Sequence, residues 1–262
     1  MSRLLSPDES GPVIVHNSGA RAPELLICDH AGRRIPRRLD DLGLEPEALN
    51  RHIAWDIGAA ELACRLADLL GAELVMQVYS RLVADCNRAP SATDIAPETS
   101  DHIAIPGNVG ISAAELAARI EAIHAPYHAA IAAALDRRGT ERPVLVSIHS
   151  FTPAMNGFQR PWQVGVLHSR DSRASERALA ALGRVDGLVV GDNQPYAMDG
   201  IDYTVPRHAK ARGLDYLELE IRQDLIADPD GQAGWAKLLA PVIVEATRPD
   251  VAQATDKFPA LP

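Results

Sequence analysis

The chain has 262 residues, 47% of them hydrophobic and 23% charged, which suits one large α/β domain, or two small ones, around a substantial core. Its formal net charge of -9 argues against a nucleic-acid partner, which calls for a basic face, but leaves room for an anionic ligand gathered by local arginines. Cys28, Cys64 and Cys86 make neither an even framework nor a CxxC pair, so a reducing, cytoplasmic setting is expected. A signal-peptide core and a bilayer-length apolar run are both missing, so no membrane partner is expected.

Residues 1–22 are polar and turn-rich and read as a loose arm or edge element, with one domain over residues 23–262. "PELLIC" reads as a buried strand. From Asp56 onward apolar residues recur at helical spacing, and Gly71 supplies the stop. "AELVMQVYS" is the next strand. "ISAAELAARIEAIHAPYHAAIAAALDRRG" is a helix with a capping box at Ser112 and Glu115, an end at Gly139 and a kink at Pro126. "RPVLVSIHS" and "WQVGVLHS" are strands, "RASERALAALGRV" a helix, and "GLVVGDNQPY" a strand running into a loop. "LDYLELEIRQDL" is a strand and "AGWAKLLAPVIVEAT" a closing helix. This alternation predicts an α/β three-layer sandwich, with helices on both faces of a mixed, mostly parallel twisted sheet.

Ligands of such sheets bind beyond the carboxyl ends of the strands. His30, His149 and His168 all fall at such ends, and imidazoles from adjacent strand tips can converge on one zinc ion. The alternation of "YLELEIRQD" puts Tyr216, Glu218, Glu220 and Arg222 on one face. Charged groups there are costly unless paired with one another or used at a site. "SRLVADCNRAP" brings Arg81, Asp85, Asn87 and Arg88 together just past a strand. Guanidinium beside amide is well suited to gripping a carboxylate.

Taken in order, "DHAGRRIP", "HIAWDIGA", "SRLVADCNR", "SIHSFTP", "GVLHSRD", "GDNQPY" and "LELEIRQDL" resemble the N-formylglutamate amidohydrolase family over residues 24–226. That family is related to the zinc carboxypeptidases and aspartoacylases, with a phosphorylase/hydrolase-like fold. The resemblance implies hydrolysis of the N-acyl amide of an acidic amino acid, N-formyl-L-glutamate giving formate and glutamate. It implies one Zn2+, or another divalent ion, held by His30 and His149. It also implies Glu220 as general base and Asn87 with Arg88 as the substrate-carboxylate pair. Carboxypeptidases take a carboxylate ligand three residues after the first histidine, where this chain has Arg33. Asp56 is therefore the expected third ligand, with Asp85 its rival. Arg81 is expected to hold the oxyanion, and Arg222 a second carboxylate or Glu220 itself. Alternatives are a carboxypeptidase-like enzyme on a small acidic peptide and an inactive relative that binds an acidic metabolite.

Several polar residues stay open. His124 and His128 stand at i and i+4 but lack an HExxH, with Pro126 between them, so a structural or supporting role is favoured. His52 is a candidate support for Asp56. His208, Asn193 and Tyr196 are candidate substrate contacts, the last two on a loop whose composition equally suits a simple turn. The oligomeric state is left open.

Overall fold

The six apolar runs named above become strands of one seven-stranded sheet in the computed structural model, which describes residues 3–139, 141–169, 172–198, 200, 202–248 and 258–262. In chain order the strands are β1 (Val13–His16), β2 (Glu24–Cys28), β3 (Glu73–Gln77), β4 (Val144–Phe151), β5 (Val164–Leu167), β6 (Val190–Asp192) and β7 (Tyr216–Arg222). Their order across the sheet is β1-β3-β2-β4-β7-β5-β6. The central run β3-β2-β4-β7 is parallel, while β1 and the β7–β5 contact are antiparallel. β1, drawn from the first 22 residues, forms the sheet edge.

Strands buried on both faces need apolar side chains at successive positions, and β2 shows it. Leu26 and Cys28 join one core, Leu25 and Ile27 the other. The first core is closed by α1 (Ala59–Leu70), α4 (Arg173–Leu182) and α6 (Pro229–Thr247). The second is closed by α3 (Ala125–Asp136), α5 (Thr204–His208) and the loops around Leu42 and Leu82. The three-layer α/β architecture is thus the observed one.

Helix ends follow local chemistry. α1 buries Leu62, Ala63, Leu66, Ala67 and Leu70 and stops at Gly71, whose φ of 64° is the left-handed value glycine accepts at little cost. Ser112 and Glu115 form the expected capping box at the start of α2 (Ala113–Arg119). Between α2 and α3 the backbone makes a π turn, Ile120–His124, just before Pro126. A ring without an N–H cannot continue the regular ladder, and the wider turn absorbs the break.

Candidate active site

The parallel strands β2, β4 and β7 end at the same edge of the sheet, and the site is built there. His30 lies two residues past β2; a Cβ on Gly32 would strike the Val78 carbonyl, so glycine lets this loop cross the end of β3. His149 lies in β4 and is the register partner of Glu220 in β7. The Asp56 N–H donates to the His30 carbonyl at 3.0 Å, which draws the segment before α1 over the strand tips. A cavity of about 450 Å³ opens above, lined by His30, Asp56, Arg81, Asp85, His149 and Glu220 among others. Its size suits a small molecule.

His30, Asp56 and His149 are all buried, and one ligand atom from each lies within 4.8 Å of the other two. His30 Nδ1 is 3.5 Å and His149 Nδ1 2.9 Å from Asp56 Oδ2. Tetrahedral ligands at about 2.1 Å from zinc stand roughly 3.4 Å apart, close to both separations from Asp56. His30 donates from Nε2 to Asp85 at 2.8 Å, which leaves Nδ1 facing Asp56. That atom is buried with no hydrogen-bond partner. On the far side of His149, Nε2 lies 3.2 Å from Asp29 Oδ2. Each imidazole therefore has a carboxylate behind it, the arrangement that orients metal-binding histidines. The residues present fit a divalent cation.

The electrostatics agree. Burial opposes charge on His149, but the nearby Asp29 carboxylate and the hydrogen bond to Asp56 outweigh it and raise its pKa well above the imidazole range. Burial and Arg81 oppose charge on His30 but Asp85 and Asp56 raise its pKa, and the same two acids raise that of Arg81 against its own burial. Carboxylates on both sides of each imidazole favour positive charge here. Burial pushes Glu220 up to about 7, with His149 pulling the other way. Glu220 Oε2 is buried without a partner, which is how a base poised for proton transfer near neutrality is arranged.

The other expected residues divide into two groups. Arg81 lines the cavity, donating to Asp85 at 2.8 and 3.1 Å with Asp56 3.6 Å away. Asp85 is thus shared by Arg81 and His30 and stands behind the cluster. Arg88 lines the cavity beside Asp94, its Nε 2.9 Å away. Tyr196 also lines it, as does His52, 3.6 Å from Asp101.

Asn87 reaches the cavity, but its amide is engaged. Oδ1 accepts the N–H groups of Tyr203 and Thr204, and Nδ2 donates to Asp202. It ties the Asp85–Arg88 segment to the start of α5. Three expected contacts are not brought to this cavity. Arg222 turns back to Asp224 at 2.8 Å, since the strand ends there and the next turn offers an exposed carboxylate. Asn193 has φ of 50° and accepts the His168 N–H, so it is a turn residue. His208 meets His128 ring nitrogen to ring nitrogen at 2.9 Å, outside the lining of the cavity. His168 pairs outward with Asp192 at 2.7 Å.

Asp29 and Glu218 complete the site. Asp29 immediately precedes His30, and its other oxygen accepts from Thr204 at 2.8 Å. The signal was available: an acid between the strand "LLIC" and its terminal histidine. Glu218 lies 3.8 Å from His149 Nε2, and burial raises its pKa well above the carboxylate range. Among the described residues no arginine pairs with Glu218 or Glu220, so no arginine salt bridge accounts for these acids on β7.

A carboxylate and two backed imidazoles, with a buried acid beside them at the carboxyl edge of an α/β sheet, have the layout of a hydrolase. Residues 22–227 match the model of the N-formylglutamate amidohydrolase family. The chain belongs to that family and is a hydrolase acting on an amide. It is also similar in structure to a gene product of Agrobacterium tumefaciens, with 37% identity, a TM-score of 0.91, and coverage of 95% of this chain and 100% of that one. An N-formylglutamate amidohydrolase from Ralstonia eutropha JMP134 shares the fold at 19% identity and a TM-score of 0.64, covering 91% of this chain and 97% of that one. No curated protein matches the chain. No helix among the described residues is long and apolar enough to cross a membrane.

Proposed function

We propose that this chain is a zinc-dependent amidohydrolase that converts N-formyl-L-glutamate to formate and L-glutamate. The carrying observation is the buried convergence of His30, Asp56 and His149 beside Glu220. A divalent ion held by three protein ligands supplies Lewis acidity and lowers the pKa of water to about 7. Glu220 takes a proton from the attacking water and passes it to the departing amine. Arg81, anchored by Asp85, offers its guanidinium to the developing oxyanion. Arg88, which lines the cavity beside Asp94, holds the carboxylate next to the amide, since the Asn87 amide is already bonded.

Metal content and formate release settle this reading together. The purified protein should carry about one equivalent of zinc. It should release formate from N-formyl-L-glutamate, lose that activity to a chelator and regain it with added zinc. A zinc-loaded protein that deformylates no N-formyl amino acid would remove the proposal.

A further inference from the structure

Just after His149 the chain makes a small hairpin that sequence reading passed over. Asn156 and Gly157 take φ of 50° and 79°, forming a two-residue turn between Ala154–Met155 and Phe158–Gln159. Asn-Gly is the pair that such a turn favours, since both positions need positive φ. At the base, the Arg160 N–H donates to Pro153 at 2.8 Å. The hairpin thereby returns Arg160 to the end of β4.

The guanidinium of Arg160 lies 5.8 Å from the Phe151 ring and 5.0 Å from the Tyr196 ring. It donates to the Thr152 carbonyl and the Tyr196 hydroxyl, both at 3.2 Å, and sits 3.3 Å from Met155 Sδ. Phe151, Thr152, Met155 and Tyr196 all line the cavity. Arg160 is only 7% exposed, yet no carboxylate among the described residues pairs with it.

Arg160 stands just behind that lining, and the arginines in the lining each have an acid: Arg81 has Asp85 and Arg88 has Asp94. Arg119 and Arg138 are also buried without an acid, but they lie away from the cavity and bind main-chain carbonyls. Arg119 meets those of Gly107 and Val83 together with Asn108, and Arg138 those of Ala22 and Glu24. Arg160 has one carbonyl, a phenol and a thioether. A buried cation so weakly matched lacks its counter-charge.

We propose that Arg160, steadied by Tyr196, binds the distal carboxylate of the substrate, so that the enzyme selects N-acylated acidic amino acids over neutral ones. This rests on the amidohydrolase reading, with Arg88 taking the carboxylate beside the amide.

Kinetics on N-formyl-L-glutamate and N-formyl-L-glutamine test it, because the two differ at the distal group alone. Arg160→Gln should raise KM for the acid on the order of 10- to 100-fold, the range of a charge-assisted contact. Its kcat, and both constants for the amide, should stay within about 2-fold. Arg160→Lys keeps the charge but loses the fork, so its effect on KM is smaller and again confined to the acid; it carries the test should the glutamine variant not fold. An equal loss on both substrates, or none on either, would overturn the assignment. If the wild type cleaves neither, the amidohydrolase reading fails, and calorimetry with glutarate and butyrate decides on Arg160. Tighter glutarate binding that Arg160→Gln abolishes supports the site, and equal binding of the two overturns it.

Discussion

The molecule has two buried clusters of histidines, and they differ in what stands behind each ring. His30 and His149 are backed by Asp85 and Asp29, which help hold their pKa values up. In the second cluster, backbone carbonyls take that place. His128 donates from Nε2 to the Cys86 carbonyl at 3.0 Å, which leaves Nδ1 to accept from His208 at 2.9 Å. His124 donates to the Arg88 carbonyl at 2.9 Å. Burial drives His128 down to about 3 and His208 to about 4. A carboxylate makes an imidazole a holder of cations; a carbonyl makes it a neutral clamp. The i, i+4 spacing of His124 and His128 suits metal binding as well as any in the chain, yet the two rings brace the Cys86–Arg88 segment.

The sharpest break in this contrast comes from two substitutions at the first cluster. His149→Ala should abolish zinc binding and turnover together. Glu220→Gln should keep a full equivalent of zinc and lose about 10²- to 10⁴-fold in kcat, the range that general-base catalysis supplies. Metal analysis beside formate release separates the outcomes, and unchanged turnover in Glu220→Gln would refute the base. The same substitutions applied to His124 or His128 should leave zinc content untouched.

Next in size is the carboxylate behind His149. Asp29→Asn removes the charge and keeps the shape, so zinc affinity should fall about 10- to 100-fold. Competition with a chromophoric chelator measures it. An unchanged affinity would mean that Asp29 only anchors Thr204.

How much of this was legible depended on whether a signal was local. Strand tips ending in histidine, and the alternation of β7 that puts Glu218 and Glu220 on one face, are properties of short segments and could be read directly. Asp56 was legible as a candidate third ligand once Arg33 stood where a carboxylate was expected, and the fold places it beside both imidazoles. What a side chain does after its strand ends was not legible. Arg222 shares the parity of Glu220 but meets Asp224 in the next turn, and His208 faces His128 across 80 positions of sequence. Asp29 was passed over because its importance lies in the ring it backs. Arg160 was passed over because an unmatched charge shows only when every neighbour is known.

The second cluster predicts a pH effect on stability. His128 and His208 are neutral in the fold, with pKa values below the ordinary 6.5, so the unfolded chain takes up protons first as pH falls. Their contribution is complete above about pH 6.5 and declines toward pH 4, by about 1.4 kcal/mol per unit for each histidine. Urea midpoints at pH 7 and pH 5 should therefore lie further apart in the wild type than in His208→Gln. Equal separations would place the acid sensitivity elsewhere.

The smallest expected effect is at Arg222, and it bears on the same contrast. Side-chain parity along β7 aims this residue at the site, while its hydrogen bonds aim it at Asp224, at 2.8 and 3.2 Å. Both partners are partly exposed, and an exposed ion pair contributes at most about 1 kcal/mol. Arg222→Ala should accordingly keep kcat and KM for N-formyl-L-glutamate within about 2-fold of the wild type, with a comparably small change in stability. A large rise in KM would mean that the end of β7 swings its arginine into the cavity when substrate is bound. The distal carboxylate would then be shared between Arg222 and Arg160, and a double-mutant cycle on that pair would show coupling.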